Sequence, residues 1–335
     1  MKNKKNTPDR YQGPSLVDAH LDLGAIVYEG KRRGEKQIIK KHFLEDFRNI
    51  GLKLVVGAVF VDSVYIPEKA LRVAVNQVED VLQEIEESPE DFILVKDKTS
   101  LEACLEGNRI GIILSLEGAD PLYDDLDLLR VFFRLGVRGL GLTWSRRNYA
   151  ADGSFFSPRI QGRVGGLTPF GVDLIREAEH LGMFLDYSHL NDEGFEDALA
   201  YSTKPFIFSH SNSRVRHPSM RNISHEMMRA LSERGGVIGM NGVRSLISGE
   251  RSQHTIEYFV DHFEDTLKVV GYDHVGLGLD FCNLIMPREY PVDLLENHGE
   301  IPLVAGELMK RGHRIEDIEK ILGGNFIRFF KKHWE

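Results

Sequence analysis

Six residues able to bind metal or carry protons stand at the ends of short apolar runs. His20 and Asp22 follow the run 16–19, Glu117 follows 110–116, and His189 follows 183–187. His210 follows 205–209, and Asp280 closes 274–279. Neutral imidazole and carboxylate are standard ligands for zinc and related divalent ions. Three histidines and three carboxylates gathered around one pocket would make a binuclear zinc or similar site. Its chemistry would be hydrolysis, because two ions lower the pKa of a water they share and one of them can polarise a carbonyl. The spacing divides the ligands. In His20-Leu21-Asp22, positions i and i+2 of a strand share a face, so both side chains can reach one ion. Glu117 is placed to bridge two ions, and His189 with His210 can complete the second. Singly, each signal is weak. A carboxylate after a strand is most often a helix cap, and most of the 13 histidines sit in helical or loop contexts. The weight lies in five strand ends coinciding.

That coincidence requires a fold in which strand ends meet. Eight apolar, β-branched runs recur, at 16–19, 54–61, 110–116, 139–143, 183–187, 205–209, 237–240 and 274–279. Their continuous hydrophobicity suits strands buried on both faces of a parallel sheet. Between them lie helical patterns at 36–50, 67–87, 126–135, 170–181, 226–234 and 255–270. This alternation predicts an α/β fold of the (β/α)8 TIM-barrel class, with the active site at the strand C-termini. Irregular stretches at 145–168, 211–224 and 281–291 would be active-site loops, and 314–334 one or two closing helices broken at Gly323-Gly324. No linker divides the chain, so residues 1–335 read as a single domain.

Composition narrows the class. The 335 residues are 42% hydrophobic and 28% charged, with a net charge of −9. Lys2, Lys4 and Lys5 form only a short polar tail, so nucleic acid is not an expected partner. Neither a signal-peptide core nor a run of about 18 apolar residues is present, so no membrane partner and a cytoplasmic location are expected. Two cysteines, Cys104 and Cys282, make no disulfide framework. Cys282 lies two residues past Asp280, where it either faces the site or, the favoured reading, is a buried structural thiol.

Longer motifs carry a resemblance. VDAHLDL, LSLEGAD, GVRGLGLT, GGLTPFGVDLIREAEHLGMFLDYSHL, FSHSNS, MRNIS, VGLGLDF and ILGGNFIRFF run through most of the chain. It resembles the membrane (renal) dipeptidase family of amidohydrolase-like metallopeptidases. The resemblance implies two zinc ions, one on His20 and Asp22 and the other on His189 and His210, bridged by Glu117. Manganese or cobalt would suit the same donors. It implies Asp280 as general base and proton shuttle, and Arg221 as the grip on a substrate carboxylate. The implied substrate is a small dipeptide with a free C-terminal carboxylate and an L- or D-residue there, cleaved by a hydroxide bridging the metals. A homodimer is also implied. One position departs from the pattern: Trp144 stands where the family carries a substrate-binding histidine. Tryptophan donates one N–H but binds no metal, so Asn148 or Arg147 would supply the missing contact, or zinc would be the main stabiliser of the tetrahedral intermediate, or Trp144 simply packs. That departure keeps a second enzymatic reading open, an N-acyl amino acid deacylase or lactonase. A catalytically inactive binding barrel would show lost ligands, and none is lost.

Overall fold

The computed structural model describes residues 15–157, 162–286 and 289–335. The lysine tail of Lys2, Lys4 and Lys5 lies outside them. Among the described residues nine strands form one parallel sheet: β1 (Leu16–Leu21), β2 (Leu52–Phe60), β3 (Phe92–Leu94), β4 (Ile110–Glu117), β5 (Val137–Gly141), β6 (Phe184–Asp186), β7 (Ile207–Phe208), β8 (Val237–Met240) and β9 (Val275–Leu277). Their order is β2-β1-β9-β8-β7-β6-β5-β4-β3, and β2 also pairs with β4. That last pairing closes eight strands into the expected (β/α)8 barrel. The ninth, β3, was not expected. It pairs with residues 110–112 of β4, while 114–117 of β4 pair with β5. Three residues are too few to show a period.

The helices differ from the sequence pattern in two ways. The pattern over 36–50 is two helices, Ile38–His42 and Leu44–Ile50, broken at Phe43 with φ −127 and ψ −31. The Phe43 ring packs against Phe47 and His298 there, so tertiary packing overrides a continuous helix. Among the described residues five further helices, Leu23–Arg32, Lys98–Glu106, Asp192–Tyr201, Arg244–Ile247 and Ile301–Lys310, add to the expected ones. Among the described residues, no helix is long and apolar enough to cross a membrane.

Two cores hold the barrel. Residues such as Val17, Leu54, Val56, Ile113, Ile207 and Val237 fill the interior and pack on Phe326, Phe329 and Phe330 of the closing helix Asn325–His333. A larger cluster lies between sheet and outer helices. The chain turns into the closing helix at Gly323. A Cβ there would lie 2.1 Å from the Ser15 carbonyl oxygen, so the tail reaches the start of β1 only through a glycine.

Candidate metal centre

The polar residues of the site are the upward continuation of these strands. Ile113, Ser115 and Glu117 alternate along β4, and period 2 carries Glu117 onto the face that begins as interior core. In β1 the register against β2 shifts: Asp18 pairs with Val55 but Leu21 with Gly57, so three steps of β1 span two of β2. A bulge of this kind re-aims the side chains beyond it, and His20 lies within it. Asp22 stands at the N-cap position of helix Leu23–Arg32 but makes no capping hydrogen bond. Its carboxylate turns to the site instead. His189 and His210 lie just past the short β6 and β7. Asp280 lies past β9 with φ 58, in the left-handed region. Side chains rarely adopt that conformation outside sites that require it.

These six side chains meet. Glu117 Oε1 lies 2.9 Å from His189 Nε2 and 3.7 Å from His210 Nε2. Its other oxygen, Oε2, lies 3.6 Å from His20 Nε2. His20 Nε2 is also 3.8 Å from Asp22 Oδ1 and 3.9 Å from Asp280 Oδ1. One carboxylate therefore faces two separate sets of nitrogens.

A second layer, which sequence reasoning missed, fixes the imidazoles. Asp186 accepts hydrogen bonds from the Ser188 hydroxyl at 2.6 Å, from the Ser209 amide at 3.0 Å and from the Ser209 hydroxyl. The single hydrogen of Ser209 thus goes to Asp186. Its oxygen is left to accept from His210 Nδ1 at 2.7 Å and His20 Nδ1 at 3.3 Å. His210 then carries its proton on Nδ1 and turns an Nε2 lone pair to the pocket, as metal-binding histidines do, and the same oxygen orients His20 so that its Nε2 faces the pocket. Ser145 holds His189 Nδ1 at 2.9 Å. The serines that precede His189 and His210 were the only sequence signal for this layer. Deeper still, Asp18 pairs with buried His298 at 2.8 Å and accepts from the amides of His20 and Leu279. It ties the ends of β1 and β9 together.

The charge balance of the pocket fits divalent cations. Burial and the nearby Asp22 push Glu117 up to about 8. Burial raises Asp280 to about 6, with His20 opposing and Asp22 reinforcing. Burial works against a charged His20, yet Glu117, Asp22 and Asp280 hold its pKa well above the usual value. Burial and neighbouring positive groups push His189 and His210 well below theirs, which keeps them neutral, the form that ligates. His20 Nε2 and Asp22 Oδ1 are buried with no hydrogen-bond partner. His189 Nε2 and His210 Nε2 are 2.8 Å apart, closer than two donors sit on one tetrahedral ion, about 3.3 Å. Two rings holding one such ion would have to part slightly. Buried carboxylates short of positive charge, beside inward nitrogen lone pairs, are what cations relieve.

The site opens into a cavity of ≈ 340 Å³ with Asp22, Glu117, His189 and Asp280 in its lining. Its wall is aromatic. Trp144 stacks on His189 with ring centroids 5.8 Å apart and touches Phe60 and Phe156. Tyr28 and Tyr65 form a second ring pair in the lining. Asn148 is not aimed here: its amide donates to Leu142 O at 2.9 Å and accepts from the amides of Ala150 and Ala151. Arg147 is likewise held by Asp152. Both belong to the loop's own structure. Arg221 is 1% exposed, and among the described residues it has no carboxylate within ion-pair distance. It donates to Ser188 O and lies 3.2 Å from His189 Nε2, while its Nε has no partner. Burial pushes it down to about 10.

Comparison with known proteins gives the same direction. Dipeptidase tcpJ of Claviceps purpurea (strain 20.1) is 31% identical over 326 residues, covering 97% of this chain and 72% of that protein. The crystal structure of the dipeptidase AC, a metallo peptidase of family M19, superposes with a TM-score of 0.86 at 25% identity, over 96% of this chain and 99% of that one. The fold is also that of a metallo peptidase from Rhodobacter sphaeroides liganded with a phosphinate mimic of the dipeptide L-Ala-D-Ala, with a TM-score of 0.85 at 24% identity over 96% of this chain and 100% of that one. The sequence model of the membrane dipeptidase family (Peptidase family M19) matches residues 12–334. With that match running almost end to end, the chain belongs to the membrane dipeptidase family and is a metallopeptidase.

Proposed function

We propose that this protein is a two-metal dipeptidase, hydrolysing the amide bond of dipeptides that carry a free C-terminal carboxylate. The observation that carries the reading is Glu117, whose two oxygens face His189 and His210 on one side and His20 on the other. His20, Asp22 and Glu117 would hold one ion, and Glu117, His189 and His210 the second. Zinc suits this donor set best, with manganese or cobalt as alternatives. When bound, such ions acidify a shared water and polarise the scissile carbonyl. The chain's own residues do the rest. Asp280, beside His20, takes the proton of the attacking water and returns it to the leaving amine. Arg221 is a buried cation without an anion, and a substrate carboxylate fits its planar fork. The Asp186–Ser209 pair and Ser145 keep three imidazoles oriented.

The reading is tested with chelated protein rebuilt with defined zinc, manganese or cobalt. We expect no turnover of dipeptides after chelation and recovery on adding two equivalents of ion per chain. The panel should include L- and D-residues at the C-terminal position. A protein that holds two ions and cleaves no dipeptide would end this reading.

Trp144 favours a second reading, in which the same centre cleaves an N-acyl amino acid or a lactone, because an aromatic wall also accepts an acyl chain. N-acyl amino acids belong on the same panel and separate the two. Under either reading the wall selects bulk. Trp144→Ala should lower kcat/KM for substrates with a large apolar side chain by about 10- to 100-fold more than for those built from glycine or alanine. A uniform loss across the panel would instead make Trp144 a support for His189 alone.

A further inference from the structure

Cys282 leaves β9 on a turn pinned from outside. Its amide donates to both oxygens of the buried Asp293, each at 3.0 Å, and the Asn283 amide donates to the same carboxylate at 2.9 Å. This clamp turns the thiol inward. Sγ lies 3.1 Å from the Asp280 carbonyl oxygen, 3.4 Å from Asp280 Oδ1 and 3.8 Å from Asp22 Oδ2. A thiol has one hydrogen, so it can satisfy at most one of the three. Asp22 is 5% exposed, and its other oxygen is buried without a partner. Donor atoms of Asp22, Asp280 and Cys282 all lie within 4.8 Å of one another. On a tetrahedral zinc-like ion, with sulfur at about 2.3 Å and oxygen at about 2.0 Å, the two donors stand about 3.5 Å apart. The observed separation of 3.8 Å between Sγ and Asp22 Oδ2 lies close to that value.

We infer that Cys282 is a ligand of the cation on the Asp22 side, adding one sulfur to the nitrogen and oxygen donors. The inference rests on the two-metal reading above. The thiol proton passes to solvent as the sulfur–metal bond forms. A sulfur donor biases the site toward zinc, cobalt and cadmium and away from manganese and magnesium, which favour all-oxygen sites.

Cobalt(II) reports on this directly. The full-length protein, stripped of metal and titrated with cobalt, should bind two equivalents and show a near-ultraviolet sulfur-to-cobalt charge-transfer band. Cys282→Ser and Cys282→Ala should lose that band while keeping visible cobalt absorption, and their zinc Kd should rise on the order of 10- to 100-fold. Cys104→Ser should keep it. The chain has only these two cysteines, and Cys104 Sγ is held at the Lys53 and Arg109 carbonyls. The wild-type spectrum alone therefore decides if a variant fails to fold. Two bound cobalt ions with no sulfur band would overturn the inference and leave the two-metal reading standing. No cobalt bound at all would overturn both.

Discussion

Glu117→Gln should lower kcat/KM by about a thousandfold or more and leave fewer than two ions bound per chain. The change is nearly isosteric, so the barrel should not notice it. Glu117 ends β4, and its backbone pairs with Phe60 and Gly141, which the substitution leaves alone. What changes is the number of acceptors. A carboxylate offers two equivalent oxygens, one toward His189 and His210 and one toward His20. A glutamine offers one carbonyl oxygen and an NH2 group that can only donate. Whichever way the amide turns, one side of the proposed bridge presents an NH2 group, which cannot ligate an ion. One negative charge would also be lost from between the two proposed cations. The measurement is metal content by elemental analysis beside steady-state kinetics on one dipeptide. A Gln variant with two tightly held ions and near wild-type rate would show that Glu117 does not bridge.

The parts of this site that the sequence displayed are those where a residue type breaks a pattern. His20, Glu117, His189 and His210 interrupt or end strongly apolar runs, and eight such runs imply the barrel that gathers them. What the sequence concealed is set by partners far away in the chain. The Asp18–His298 pair joins residues 280 apart, and no local spacing announces it. Asp186 is unremarkable in LDYSH until the fold sets Ser209 against it. Asn148 was expected at the substrate because it is polar and lies near Trp144, but its loop uses the whole amide. The helix Leu23–Arg32 was hidden because it follows β1 directly, with only Asp22 between the two elements to separate their periods. Cys282 read in sequence either as a core thiol or as a residue facing the site, with nothing local to decide. Only the Asp293 clamp, on a different segment, turns it toward Asp22.

Asp280→Asn should retain both ions and reduce kcat by about 10²- to 10⁴-fold with little change in KM, the loss expected when a general base is removed. The substitution is well matched to its position. Asp280 has φ 58, and asparagine tolerates the left-handed region better than most residues. Its side-chain contact survives as well. Asn241 Nδ2 donates to Asp280 Oδ2 at 2.9 Å, and an asparagine carbonyl can accept the same bond. The backbone anchor, Asp280 N to His20 O at 3.1 Å, does not involve the side chain. What is removed is basicity, since an amide cannot take the proton of the attacking water or return it to the amine. Asp280→Ala is the less informative variant, because it adds backbone strain to the loss of the base. Metal analysis and a kcat against KM split together decide the role. Full metal with wild-type kcat would free Asp280 from proton transfer, and loss of an ion in step with activity would move it among the ligands.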